Sequence, residues 1–325
     1  MYSVEKRPTF LQWLKITIVD ILTMAVVGAY ALVVFRLGPA ATRLFPLTIR
    51  DGSEIIYPQF AYPYRSQYIS SWLAGILALL VPIAIILLAQ IRVTSFWDTN
   101  NGIMGVVYAI ILSSAFQVSL KWIVGGLRPF FYDVCNPDIN RALSHELFDS
   151  SGLNGVGYQD YMFSRDVCRT TSKAALDNAM QSFPSGHAST VFSGMVFLFL
   201  YLNAKLKVFS NYQPAMWKLV LIFVPILVAT LVGGSLSVDN SHNWYDIVAG
   251  AIIGIVFGFA SYRIMYAAIW DYRINHIPLN RHKSFVQGDG VEGNNMVFSE
   301  HAGWTSRRKA KKSALPAPTT TRPSR

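Results

Sequence analysis

At Phe183-Pro184-Ser185-Gly186-His187 a polar stretch gives way, without a break, to the apolar run 188–202. The junction predicts a helix whose first turn is an anion site. Amides that open a helix lack intrahelical acceptors and lie at the positive end of its dipole, so those of Ser185, Gly186 and His187 are expected to face a phosphate. Gly186 lets the backbone come close, Ser185 adds a hydroxyl, and His187 is a group able to protonate a leaving oxygen near neutral pH. Taken alone, the same residues also read as a helix start with a capping serine and an unrelated histidine.

The run after His187 is one of six that are apolar enough to cross a bilayer: 14–37, 71–91, 103–120, 188–202, 217–236 and 247–266. The fourth is short for a hydrocarbon core of ~30 Å and is expected to borrow Ser185 to His187 and Asn203 at its ends. With 52% hydrophobic and 14% charged residues among 325, the chain is expected to be an all-α integral membrane protein with six transmembrane helices. The organisation expected is a cytosolic arm (1–13), a membrane domain (14–275) with one long far-side loop (130–183), and a basic, disordered tail (276–325).

A net charge of +10 in a soluble protein would point to nucleic acid, but its distribution here points to a membrane. One side collects Lys6, Arg7, Lys15, Arg92, Lys205, Lys207, Lys218 and the tail cations Arg307, Arg308, Lys309, Lys311 and Lys312; the other carries Asp133, Asp138, Glu146, Asp149, Asp160, Asp166 and Asp177. The positive-inside bias puts both termini in the cytosol and the loop on the lumenal or extracellular side. The two cysteines, Cys135 and Cys168, fall in that loop. An oxidising compartment there favours a disulfide.

Two further stretches answer the first. Lys121 and Arg128-Pro129 are seven residues apart, about two helical turns, which predicts two cations on one side of a helix end. His242 and Asp246 stand at i, i+4, a spacing that lets a carboxylate hold one imidazole nitrogen and leave the other free to attack.

Together, Lys121-x6-Arg128-Pro129, Pro184-Ser185-Gly186-His187 and Ser235-x6-His242-x3-Asp246 resemble the motifs of the type 2 phosphatidic acid phosphatases. These lipid phosphate phosphatases share a helical core with the vanadium haloperoxidases, and the resemblance covers roughly 103–266. It implies that His242 attacks phosphorus to form a phosphohistidine, that Asp246 steadies its ring, and that His187 protonates the leaving group and then activates water. Lys121, Arg128, Ser185 and Gly186 would hold the phosphate oxygens. No metal and no cofactor is implied, and the chain offers no carboxylate cluster suited to magnesium. One position departs from the pattern: the family reads Ser-Arg where this chain has Ser235-Leu236. Arg165, Arg169 and Lys173 are loop cations available to replace that arginine. The expected substrate is a lipid phosphate such as phosphatidic acid or diacylglycerol pyrophosphate. An isoprenoid diphosphate phosphatase and a weakened or inactive lipid-phosphate-binding homologue are the alternatives.

Overall fold

The computed structural model describes residues 7–40, 44–50, 53–55, 57–143 and 162–281. The expectations for Lys6, Glu146, Asp149, Asp160 and the basic residues of the tail fall outside that set.

Each of the six apolar runs is a helix, and polar residues at its ends decide where it starts. Helix α1 (Phe10–Arg36) opens on a capping box between Thr9 and Gln12. Helix α2 (Ser71–Val93) opens on Ser70, whose hydroxyl accepts from the Leu73 amide at 3.3 Å. Helix α3 (Phe96–Val124) begins earlier than its apolar run, because the turn that precedes it is confined to left-handed Thr94 and the capping Ser95. Asn100 and Asn101 are absorbed into the helix, since their side chains find tertiary partners: Trp13 donates to Asn100, and Asn101 donates to the carbonyls of Met265 and Leu279.

Short elements follow on the far side: α4 (Phe131–Cys135), α5 (Ile139–Leu143) and α6 (Lys173–Ala179). Between α1 and α2, β1 (Phe45–Pro46) pairs with β4 (Met162–Phe163) of the long loop, and β2 (Thr48–Arg50) with β3 (Ser53–Ile55). The remaining spans are α7 (Gly186–Leu206), α8 (Met216–Val238) and α9 (Trp244–Met265).

Helix α7 is the axis of the bundle, packed by α2, α3, α8 and α9 and buried along nearly its whole length. The other five spans turn large apolar side chains outward, among them Val26, Leu88, Leu231 and Ile252. Apolar outer faces of this extent suit a lipid environment. The small-residue stripe of α9 lets it lie close against α7: a Cβ on Gly250 would come 2.5 Å from the Ser185 carbonyl, and one on Gly254 2.5 Å from that of Ser189. The third motif is thereby pressed against the second.

The two ends of the bundle differ. At one, Lys205 and Asp98 form a buried ion pair at 2.5 Å, and the hydroxyls of Tyr201 and Tyr266 also donate to the Asp98 carboxylate. The chain after α9 folds back over this end, with the Leu279 amide on the Met265 carbonyl and Arg281 paired with Asp20 of α1. At the other end, the Cys135–Cys168 disulfide ties α4 to the end of the long loop. A second apolar core built on Phe45, Phe131, Tyr132 and Val167 underlies it.

Residues 57–70 form a strap across this second end. Tyr62 and Tyr64 donate their amides to the Pro129 carbonyl and the Asp133 carboxylate, Asn240 donates to the Pro63 carbonyl, and Tyr68 donates its amide to Asp239.

Candidate active site

All seven residues singled out in the sequence lie at the strapped end. Helix α3 brings Lys121 there within its last turn and stops at Gly125 and Gly126, both at positive φ. A Cβ at Gly125 would lie 2.9 Å from the Met180 carbonyl, so the turn needs glycine there. Past it the chain pairs with the approach to the second motif: Ser182 and Phe183 donate their amides to Gly126 and Gly125.

Lys121 and Arg128 converge, but not as neighbours on a helix face. The helix ends at Val124, and the glycine turn carries Arg128 back. Its guanidinium is buried and donates to the carbonyls of Asn178 and Ser241 at 2.8 Å each and to the Asn178 side chain at 3.1 Å. Burial pushes Arg128 down to about 10, against the opposing pull of Asp246 and Asp239. Lys121 Nζ donates to the Gln181 carbonyl at 3.2 Å.

Ser185 is the N-cap of α7, its hydroxyl accepting from the Ala188 amide, and its own amide donates to the Asp246 carbonyl at 3.0 Å. That amide is therefore committed to the third motif, contrary to the expectation that it faces a phosphate. Gly186 and His187 keep the first-turn positions, where amides lack intrahelical acceptors. Gly186 rests on Gln117 of α3, which donates to the Pro184 carbonyl.

The pairing of His242 with Asp246 also differs from expectation. His242 precedes α9, so the two are not one helical turn apart, and Nδ1 lies 3.7 Å from Asp246 Oδ2, beyond hydrogen-bond range. Ser182 fills the interval. Its hydroxyl donates to Asp246 Oδ2 at 2.5 Å and lies 3.4 Å from His242 Nδ1, and its backbone bonds the His242 ring. Because the Ser182 amide is spent on Gly126, the ring's acceptor is the Ser182 carbonyl. The Asp246 carboxylate is held further by the amide and side chain of Asn243. Desolvation, then Arg128, Lys121 and His187, hold the buried His242 imidazole well below its ordinary pKa. A neutral ring with Nδ1 engaged leaves the lone pair of Nε2 free.

His187 is bonded through its ring to the backbone of Ile69, and its Nε2 is buried without a protein partner among the described residues. Two histidines, two cations and a carboxylate thus share one pocket at a helix N-terminus.

Residues 102–270, just over half of the chain, match the PAP2 superfamily. The chain belongs to that superfamily. Among similar proteins, lipid phosphate phosphatase 1 of Arabidopsis thaliana is 35% identical over 205 residues, 63% of this chain and 57% of that protein. Lipid phosphate phosphatase 2 of the same plant is 31% identical over 206 residues, 63% and 65% of the two chains. A probable diacylglycerol pyrophosphate phosphatase 1 of Schizosaccharomyces pombe is 28% identical over 265 residues, 79% and 83%. The chain thus spans less than two thirds of the length of the two Arabidopsis relatives. No solved structure matches it.

The PAP2 segment contains every site residue named from sequence, and the strap precedes it. Ser182 and Asn243 adjoin the motifs and went unnoticed, as did Asn178; a buried-spacing argument has no purchase on a single serine. Leu236 is fully buried, and its carbonyl accepts the His242 amide at 3.1 Å. Of the loop cations expected to compensate, Arg165 pairs with Asp177 at 3.0 Å, Arg169 lies 3.7 Å from Asp138, and Lys173 is exposed at the first residue of α6.

Proposed function

We propose that this PAP2 protein is a membrane lipid phosphate phosphatase, hydrolysing phosphatidic acid, diacylglycerol pyrophosphate or a related lipid phosphate through a phosphohistidine. The observation that carries the reading is the convergence of His242, His187, Lys121 and Arg128 on one pocket at the end of a bundle with apolar outer faces. His242 Nε2 attacks phosphorus while protonated His187 gives its proton to the leaving oxygen, which departs as the lipid alcohol from a phosphate monoester or as the lipid phosphate from a pyrophosphate. Neutral His187 then takes a proton from water as that water attacks the phosphohistidine, releasing phosphate and restoring both rings. Lys121, Arg128 and the first-turn amides of α7 stabilise the charge on the equatorial oxygens. The names of the Arabidopsis and S. pombe relatives support a lipid phosphate as substrate.

The charge asymmetry supports cytosolic termini and a site on the lumenal or extracellular surface, where a lipid keeps its chains in the bilayer while its headgroup reaches the pocket. The test is phosphate release by purified full-length protein from a panel of lipid phosphates, with His242→Ala as blank. Activity is expected with phosphatidic acid or diacylglycerol pyrophosphate and is expected to survive EDTA. Silence of the wild type on every lipid phosphate would leave the lipid-phosphate-binding homologue, the reading that Leu236 in place of arginine favours.

A further inference from the structure

Three features of the strap stand apart from the mechanism above. It lies before the segment matched to the superfamily, it is fastened by side chains to Asp133 just after the first motif and to Asn240 within the third, and it ends on a ring of the second. Tyr64 is held by Asp133, Pro63 by Asn240, and the backbone of Ile69 meets the His187 ring. Ile69 immediately precedes the α2 N-cap Ser70, so its carbonyl is not needed by the helix, and its side chain packs against the membrane core. In this contact the carbonyl is the acceptor and the ring N–H the donor. Since His187 Nε2 has no partner among the described residues, the bonded nitrogen is Nδ1.

We infer that the strap 57–70 is a positioning element of the active site, fixing through the Ile69 carbonyl which nitrogen of His187 meets the leaving oxygen. With Nδ1–H held, Nε2 is the nitrogen that carries the transferable proton in the first step and accepts one from water in the second. A slack strap frees the ring to rotate, and proton delivery suffers before phosphate binding does. The inference rests on the phosphatase reading, in which His187 is the acid.

The test removes two of the strap's four fastenings, those to Asp133 and Asn240, and leaves the site residues untouched. Asp133→Ala removes the acceptor of the Tyr64 amide. Asn240→Gly removes the donor to Pro63 and suits the positive φ of that residue, 61°. In the purified full-length protein, kcat/KM is measured for phenyl phosphate and 4-nitrophenyl phosphate in the same preparation, so that the ratio is independent of the folded fraction. The double variant is expected to lose about ten-fold more activity on phenyl phosphate, whose leaving group needs the proton, than on 4-nitrophenyl phosphate. Asp133→Asn, which keeps an acceptor, is expected to match the wild type. In a His187→Ala background the same strap changes are expected to leave the ratio unmoved. Equal losses on both esters, or a ratio that still shifts without His187, would overturn the positioning role and leave the phosphatase reading intact. A wild type inactive on both esters and on lipid phosphates would overturn that reading and the inference with it.

Discussion

The Ser182 hydroxyl donates to the Asp246 carboxylate at 2.5 Å, on the side of that carboxylate turned toward His242. Aspartate and histidine therefore communicate through a serine. A hydrogen bond to a charged group is worth ~1.5–3 kcal/mol, so Ser182→Ala is expected to lower kcat about ten-fold or more with little change in KM. Ser182→Thr, which keeps the hydroxyl, should recover much of the loss. Rapid-quench measurement of phosphoenzyme formation checks this; a purely structural serine would not slow that step selectively.

The pH dependence follows from the buried His242. Its pKa is held well below the ordinary 6.5, so the ring is neutral at pH 6.5 and stays neutral as the pH falls further. The acid limb of kcat/KM due to the nucleophile is expected to lie below pH 6.5, once the ionisation of the substrate phosphate is corrected for. Burial lowers the Arg128 value, but a guanidinium keeps its charge over the working range, so its hold on the substrate is expected to be independent of pH. Arg128→Lys alters the alkaline behaviour and leaves the acid limb in place.

Leu236 is where the phosphate-binding arginine of the resembling family would stand, and it is fully buried. A guanidinium placed there has no anion of its own, and a buried unpaired charge is costly. Leu236→Arg is expected to lower the Tm of the free protein and to be stabilised by inorganic phosphate more than the wild type is. If it faces the reacting phosphate, it is also expected to raise kcat/KM, because one transition-state donor is worth ~100-fold or more in rate. Thermal melts with and without phosphate, beside phosphatidic acid turnover, decide it. A variant indifferent to phosphate would place that side chain away from the anion.

Cys135 lies seven residues beyond Arg128, bonded to Cys168 near the end of the long loop. A disulfide closing a loop of this size contributes ~3–4 kcal/mol in the chain-entropy account. Reduction is expected to lower the Tm and weaken activity. In sealed, right-side-out vesicles a membrane-impermeant maleimide should label both cysteines after reduction by an impermeant phosphine and neither before. Labelling without reduction would remove the bond from the account.

The six spans and the three motifs were legible because both are written locally, the spans as unbroken apolar runs and the motifs as fixed spacings. The disulfide was readable from the position of both cysteines in one loop. Less legible was whatever depends on two distant segments meeting. The i, i+4 spacing of His242 and Asp246 suggested direct contact, but helix α9 starts after His242, and the gap is filled by Ser182, 60 residues upstream of that histidine. Lys121 and Arg128 converge through two glycines at positive φ and not through helical periodicity. The aromatic residues of 57–70 carry no period that distinguishes an interfacial belt from a strap over a pocket. Asp20, inside the first apolar run, is paired with Arg281 beyond the last span, a partner that no local pattern announces.

The burial of α7 bears on how the protein is made. This helix is the least apolar of the six spans, and it carries Ser189, Ser193, Asn203 and Lys205 in surroundings that exclude water. Lipid alone holds such a segment weakly, since insertion is governed by the apolarity of the span itself. Two of its partners, α2 and α3, precede it in synthesis, and α3 already offers Asp98 to Lys205. The other two, α8 and α9, follow. A nascent chain ending after α7 has Ser193 and Lys205 already partnered by Ser113 and Asp98 of α3, but leaves the face later covered by α8 and α9 open to acyl chains. The candidate site, which takes its residues from the ends of α3, α7 and α9, is therefore complete only when the last helix has left the ribosome.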